Sequence, residues 1–206
     1  MKAIAVYCGA APGANPVYAS AARALAGVLV SHNIGLVYGG GNVGLMGVIA
    51  DEALRLGGEV SGVIPRALLE REVGHSGLTR QFVVKDMHER KAMMAELSDG
   101  FIAMPGGMGT LEELFEMLTW AQLGIHAKPV GLLNVNGFYD RLIDFVAHQQ
   151  AEGFVRPAHA ALMMAETAPE ALVAALQAAA LQAAALQAAG APTSVVQLAA
   201  AQQATR

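Results

Sequence analysis

The chain has 206 residues, of which 54% are hydrophobic and only 15% charged, with a mean hydropathy of +0.42. That composition excludes wholesale disorder, and the length leaves room for one sizeable domain or a domain and a tail. A formal net charge of −4 offers no basic face for phosphate neutralisation, which excludes a general nucleic-acid binder. The single cysteine, Cys8, excludes an intramolecular disulfide and any Cys-based zinc site, and it fits a reducing, cytoplasmic setting. No signal peptide is expected, because Gly9, Pro12, Gly13 and Pro16 follow the first apolar run at once. No membrane span is expected either, since Gln177, Gln182 and Gln187 interrupt the alanine-rich C-terminus.

In chain order, Ala3 to Tyr7 is a short apolar run ending at a glycine turn, as a strand buried on both faces would be. A helical stretch from about Val17 to His32 follows, then a strand at Ile34 to Tyr38 that opens into Gly39-Gly40-Gly41. A helix over Leu45 to Leu56 and a strand over Val60 to Ile64 come next, and the polar segment from Arg66 to Arg80 reads as a long loop with room for a helical turn. Beyond it lie a strand at Phe82 to Val84, a helix at Asp86 to Leu97, a strand at Phe101 to Met104 and a helix at Thr110 to Leu123. A strand at Val130 to Leu133 and a helix at Tyr139 to Gln150 complete the pattern.

This alternation predicts an α/β fold, a doubly wound, Rossmann-like parallel sheet with helices on both faces. The expected division is one domain over 1–170 and an Ala/Leu/Gln-rich tail over 171–206, helical or partly disordered. In the tail a five-residue repeat advances about 140° per step around a helix, so Leu176, Leu181 and Leu186 cannot share one face.

Ligands of such sheets bind beyond the carboxyl ends of the strands, where three glycine turns converge here: Gly9 to Gly13, Gly39 to Gly44 and Gly106 to Gly109. The second matches G-x-G-x-x-G, but the acidic residue a dinucleotide site wants is absent from the end of the next strand, and Glu59 stands at its beginning. Two readings fit Gly40 and Gly41: a backbone cradle for a phosphate, or a tight turn that lets helix and strand pack closely. No glycine is followed by Lys-Ser or Lys-Thr, so a P-loop is excluded. The six histidines lack metal-ligand spacing and read as surface or structural residues. No metal or cofactor is expected.

The strongest signal is Pro105-Gly106-Gly107-Met108-Gly109-Thr110-Leu111-Glu112-Glu113, a glycine turn opening a helix, where backbone donors and the helix dipole attract an anion. Thr110 is placed to cap that helix. Leu111, Leu114, Phe115 and Leu118 form an apolar stripe that sets Glu113 on the opposite side, with Glu116, Met117 and Trp120 beside it. In the preceding helix Arg90 falls on the same face as Met87, Met94 and Leu97, so its charge needs an anionic partner. A protein carboxylate and a substrate phosphate both satisfy that need.

These residues together resemble the LOG ("Lonely Guy") family of cytokinin riboside 5′-monophosphate phosphoribohydrolases, many once labelled lysine decarboxylase-like. The family's PGGxGTxxE stands at Pro105 to Glu113, and its Arg-Lys pair at Arg90-Lys91 within MHERKAMM. YCGAAPG, YGGGNVGLMG and the stretch from Leu118 to Asp140 extend the likeness over about residues 2 to 165.

The resemblance implies hydrolysis of the N-glycosidic bond of N6-modified adenosine 5′-monophosphates, giving free base and ribose 5-phosphate. It implies Glu113 and Arg90 as the catalytic pair. It also implies nucleotide contacts from Glu72, Lys91, Gly106, Gly107, Met108, Gly109, Thr110, Leu111, Glu112 and Thr119, and a homodimer with the site near its interface. Two alternatives stay open: a general AMP or purine nucleotide nucleosidase, and a nucleotide-binding sensor without catalysis. The chain departs from the family at Ala10-Ala11, where a serine pair is common.

Overall fold

The computed structural model describes residues 1–72 and 74–189, and of residues 70–72 only the backbone. Seven parallel strands form one sheet: β1 (Ala3–Tyr7), β2 (Gly35–Tyr38), β3 (Val60–Pro65), β4 (Arg80–Val84), β5 (Phe101–Ala103), β6 (Val130–Leu133) and β7 (Met163–Glu166). Their order across the sheet is β4-β3-β2-β1-β5-β6-β7, so the winding reverses between β1 and β5. The helices are α1 (Val17–Ser31), α2 (Gly44–Arg55), α3 (Arg66–Glu72), α4 (Met87–Glu96), α5 (Met108–Gln122), α6 (Asp140–Ala151), α7 (Pro157–Ala160) and α8 (Pro169–Ala188).

Period-two alternation along β1 supplies two cores. Ile4, Val6 and Cys8 face the α1–α2–α8 layer with Leu25, Leu29, Leu45 and Ile49. Ala5 and Tyr7 face the α4–α5 layer with Met94, Leu114 and Met117. Burial on both faces is what a parallel sheet under crossover helices requires.

Two departures from the sequence reading stand out. The segment from Arg66 to Arg80 is not a long loop: α3 fills its first half and β4 begins at Arg80. The strand β7 and the short α7 were not anticipated. The repeat helix α8 behaves as its spacing demands, with Leu176 fully buried and Leu181 73% exposed. Its length and hydropathy match those of a membrane-crossing helix, yet its first turns bury Leu172, Val173 and Leu176 beside α1 and β6. The chain from residue 190 onward lies outside the described residues.

Candidate active site

The reversal between β1 and β5 opens a crevice at the carboxyl ends of the strands. Three glycine turns close around it. Gly9 donates its N–H to the Pro105 carbonyl at 3.1 Å and accepts from Leu45 N at 2.9 Å. A Cβ on Gly106 would lie 2.9 Å from Gly9 N, and one on Gly44, whose φ is +59°, would lie 2.3 Å from the Ala10 carbonyl carbon. These glycines are fixed by close approach of backbone to backbone. Gly107 and Gly109 are different: a Cβ on either would meet nothing within 4 Å, and neither has a positive φ. Nothing in the chain itself calls for glycine at those two positions.

Gly107 is the N-cap of α5, and no side chain bonds the first N–H groups of that helix. An anion set there would meet unpaired donors and the positive end of the dipole. Thr110 is therefore not the cap. It is buried in the first turn, where its hydroxyl occupies the space beside Gly106. The crevice wall formed by Ala10, Ala11, Pro12, Tyr18, Leu45 and Phe138 encloses about 330 Å³ and presents almost no polar side-chain atoms. A cavity of about 950 Å³ lies elsewhere, under the second half of α8 beside Lys2, Asp99 and His126. None of the chemistry-bearing residues lines that larger one.

The stripe expected on α5 is displaced. The buried seam runs Thr110, Glu113, Leu114, Met117 and Ala121, so Glu113 faces inward, while Phe115 is 39% exposed. Burial pushes the Glu113 carboxyl up to about 7, against the opposing pull of the Arg90 guanidinium.

Arg90 reaches the same cleft from α4, whose start is fixed by Asp86, the carboxylate of which accepts the N–H groups of His88 and Glu89 at 3.0 Å. Arg90 is itself buried; its Nη2 donates to the Gly39 carbonyl at 3.2 Å, and its Nε has no partner. A Cβ at position 39 would stand 1.9 Å from that Nη2, so glycine there is what admits the guanidinium. The Tyr7 hydroxyl, also buried and unpartnered, is pushed up first by burial and then by the Glu113 and Glu116 charges, which places it in the same electrostatic neighbourhood.

Lys91 turns the other way and bonds Glu112, with Glu116 3.0 Å from its Nζ. Burial opposes its charge, but the two carboxylates outweigh it and hold its pKa above the ordinary lysine value. Glu112 and Glu116 thus hold a buried ammonium instead of forming a purely solvated face.

Among the expected contacts, the structure brings Arg90, Glu113, Gly106, Gly107, Gly109 and Thr110 to one end of the sheet. Met108 is 85% exposed at the mouth, and Leu111 is half-buried behind it. Thr119 lies exposed three turns along α5, about 18 Å along the axis from Gly107, so one chain alone does not bring it to the cleft. Glu72 closes α3, and its side chain lies outside the described residues.

Gly40 and Gly41 are both buried. Gly40, at φ +75°, sits on Ile64 and accepts His75 N at 3.2 Å, while Gly41 pairs with Gly74. Gly39 is the glycine of that turn on which Arg90 depends, and only the position of Arg90 marks it. Among the described residues no three His, Cys, Asp or Glu side chains gather as a metal site.

A family model described as "possible lysine decarboxylase" matches residues 46–176. The cytokinin riboside 5′-monophosphate phosphoribohydrolase LOG1 of Arabidopsis thaliana is 49% identical over 176 residues, covering 85% of this chain and 83% of that protein. The phosphoribohydrolase of the same name from Rhodococcoides fascians is 50% identical over 158 residues, covering 76% of this chain and 80% of its own length. Among solved structures, the molybdenum cofactor carrier protein of Chlamydomonas reinhardtii superposes with a TM-score of 0.62 at 21% identity, over 86% of this chain and 96% of that one. That likeness extends to the fold alone.

Proposed function

Because the chain belongs to the LOG family of cytokinin riboside 5′-monophosphate phosphoribohydrolases, we propose that it hydrolyses the N-glycosidic bond of N6-modified adenosine 5′-monophosphates, releasing the free base and ribose 5-phosphate. The observation that carries this reading is the buried Glu113 carboxyl, within electrostatic reach of the buried Arg90 and beside an uncapped, glycine-opened helix.

The 5′-phosphate is bound by the free N–H groups at the start of α5, and this remote anchor sets the ribose against Glu113. Ionised Glu113 stabilises the positive charge that develops at C1′ and takes a proton from the attacking water. The water oxygen bonds to C1′, the electron pair of the C1′–N9 bond leaves with the base, and the proton that Glu113 took is passed through solvent to the base. Arg90 favours the ionised form of Glu113. No step calls for a metal or cofactor.

A Schiff-base lysine needs a lowered pKa, and Lys91, the lysine nearest Glu113 and Arg90 in the sequence motifs, is instead held up by two carboxylates. The active unit in this reading is a cytoplasmic homodimer. Support for a second copy comes from α5, where Phe115 is exposed and Leu111, Leu118 and Trp120 are only partly covered. Sedimentation of the pure protein tests the dimer. Glu113→Gln tests the chemistry: base release should stop while AMP still binds, and an active Glu113→Gln protein would overturn the assignment.

A further inference from the structure

We infer that His75 and Asp51 form a clamp that positions the catalytic arginine, a role resting on the hydrolase reading for its effect on turnover. The two residues are 24 apart in sequence, on the strap between α3 and β4 and on α2. His75 is 8% exposed, and its Nε2 lies 2.9 Å from an Asp51 carboxylate oxygen. Its Nδ1 accepts the Gly77 N–H at 3.1 Å, so the ring proton resides on Nε2 and is donated to Asp51.

Its backbone N–H donates to the Gly40 carbonyl at 3.2 Å, and the neighbouring Gly74 pairs with Gly41. The strap is thereby tied both to α2 and to the turn whose first carbonyl, that of Gly39, receives Arg90. That turn is buried, but it carries no side chains of its own at 39, 40 or 41 and includes a positive-φ glycine. A small shift of the Gly39 carbonyl carries the guanidinium with it, and a misplacement of about 1 Å at a reacting group is costly in rate. Asp51, with its side chain 68% exposed, is the accessible half of the clamp.

The test compares Asp51→Ala with Asp51→Asn, which loses the same charge but keeps an acceptor oxygen for His75. Asp51→Ala should lower kcat about tenfold with KM within about twofold, and Asp51→Asn should stay within about twofold on both. In ¹⁵N-resolved spectra the Arg90 Nε–H and the Gly39 to Gly41 amides should shift in Asp51→Ala and hold in Asp51→Asn. Unmoved signals in Asp51→Ala overturn the clamp whether or not the protein turns over nucleotide, as do equal losses in both variants. Absence of turnover in the unaltered protein would sink the hydrolase reading alone, and the spectra would still decide the clamp.

Discussion

Lys91 lies 3.0 Å from Glu116 and bonds Glu112 as well, so one buried ammonium holds carboxylates on both sides of Glu113 in the α5 sequence. Without it, three carboxylates within five residues would face one cleft, and each added negative charge would push Glu113 further from ionisation. The adjacent residues Arg90 and Lys91 therefore divide the work. Arg90 holds the cleft and Lys91 the rim.

The pH dependence follows. With Glu113 raised to about 7, the free enzyme's kcat/KM should fall as pH drops through about 7, because the protonated acid neither accepts a proton nor stabilises C1′. Lys91 lowers the Glu113 pKa, so Lys91→Met should move that limb to higher pH. A profile flat from pH 5.5 to 8, or a limb that Lys91→Met leaves in place, would remove Glu113 from the role of base.

The same shift has a consequence for stability. A carboxyl whose folded pKa exceeds its unfolded value binds more protons when folded, so stability falls as pH rises from the unfolded value near 4.5 to the folded value near 7. Above that range the burial of the charged form destabilises the fold in full. Glu113→Gln should therefore raise the melting temperature at pH 8 by roughly 6–12 °C, corresponding to about 3 kcal/mol, and by much less at pH 5. A lower melting temperature at pH 8 would mean that the ionised carboxylate is a net stabiliser.

The glycines of the α5 turn separate into two kinds. Gly106→Ala forces a Cβ to 2.1 Å from the Thr110 hydroxyl and should cost about 1–3 kcal/mol of stability. Gly107→Ala and Gly109→Ala face open space, so both should fold with unchanged or slightly greater stability yet bind AMP about tenfold more weakly. Thermal melts together with titration calorimetry check both halves. Full AMP affinity in Gly107→Ala and Gly109→Ala would move the anion site away from this turn.

Much of the fold was legible because its strands are short apolar runs stopped by glycine, as at Tyr7 and Tyr38. The strand β7 was not, since Met163 to Glu166 is a partly exposed edge with no β-branched residue to mark it. The helix α3 was hidden by the glycines and charges of the segment around it. The local motifs marked Glu113 and Arg90 as candidates, but helical periodicity put Glu113 on the wrong side of α5. The apolar stripe of α5 is only partly covered, and the seam that packs includes Thr110 and Glu113 because the cleft reaches into it. Gly39 and the His75–Asp51 pair left no spacing signal, since only folding makes them neighbours.

For α8 the expectation concerns packing alone. Leu176→Ala removes a fully buried side chain and should cost about 2–5 kcal/mol, while Leu181→Ala at an exposed position should cost under about 0.5 kcal/mol. Equal costs in denaturant unfolding would mean that this helix packs in another register.

The central claim is tested most directly by a metal-free assay of the purified protein with AMP and isopentenyladenosine 5′-monophosphate, following free base and ribose 5-phosphate by chromatography. Release of base and ribose 5-phosphate in equal amounts, faster from the prenylated nucleotide and absent with Glu113→Gln, is the predicted result. Tight binding of both nucleotides with no base released at any pH would contradict it, and would leave Glu113 and Arg90 as a nucleotide clamp.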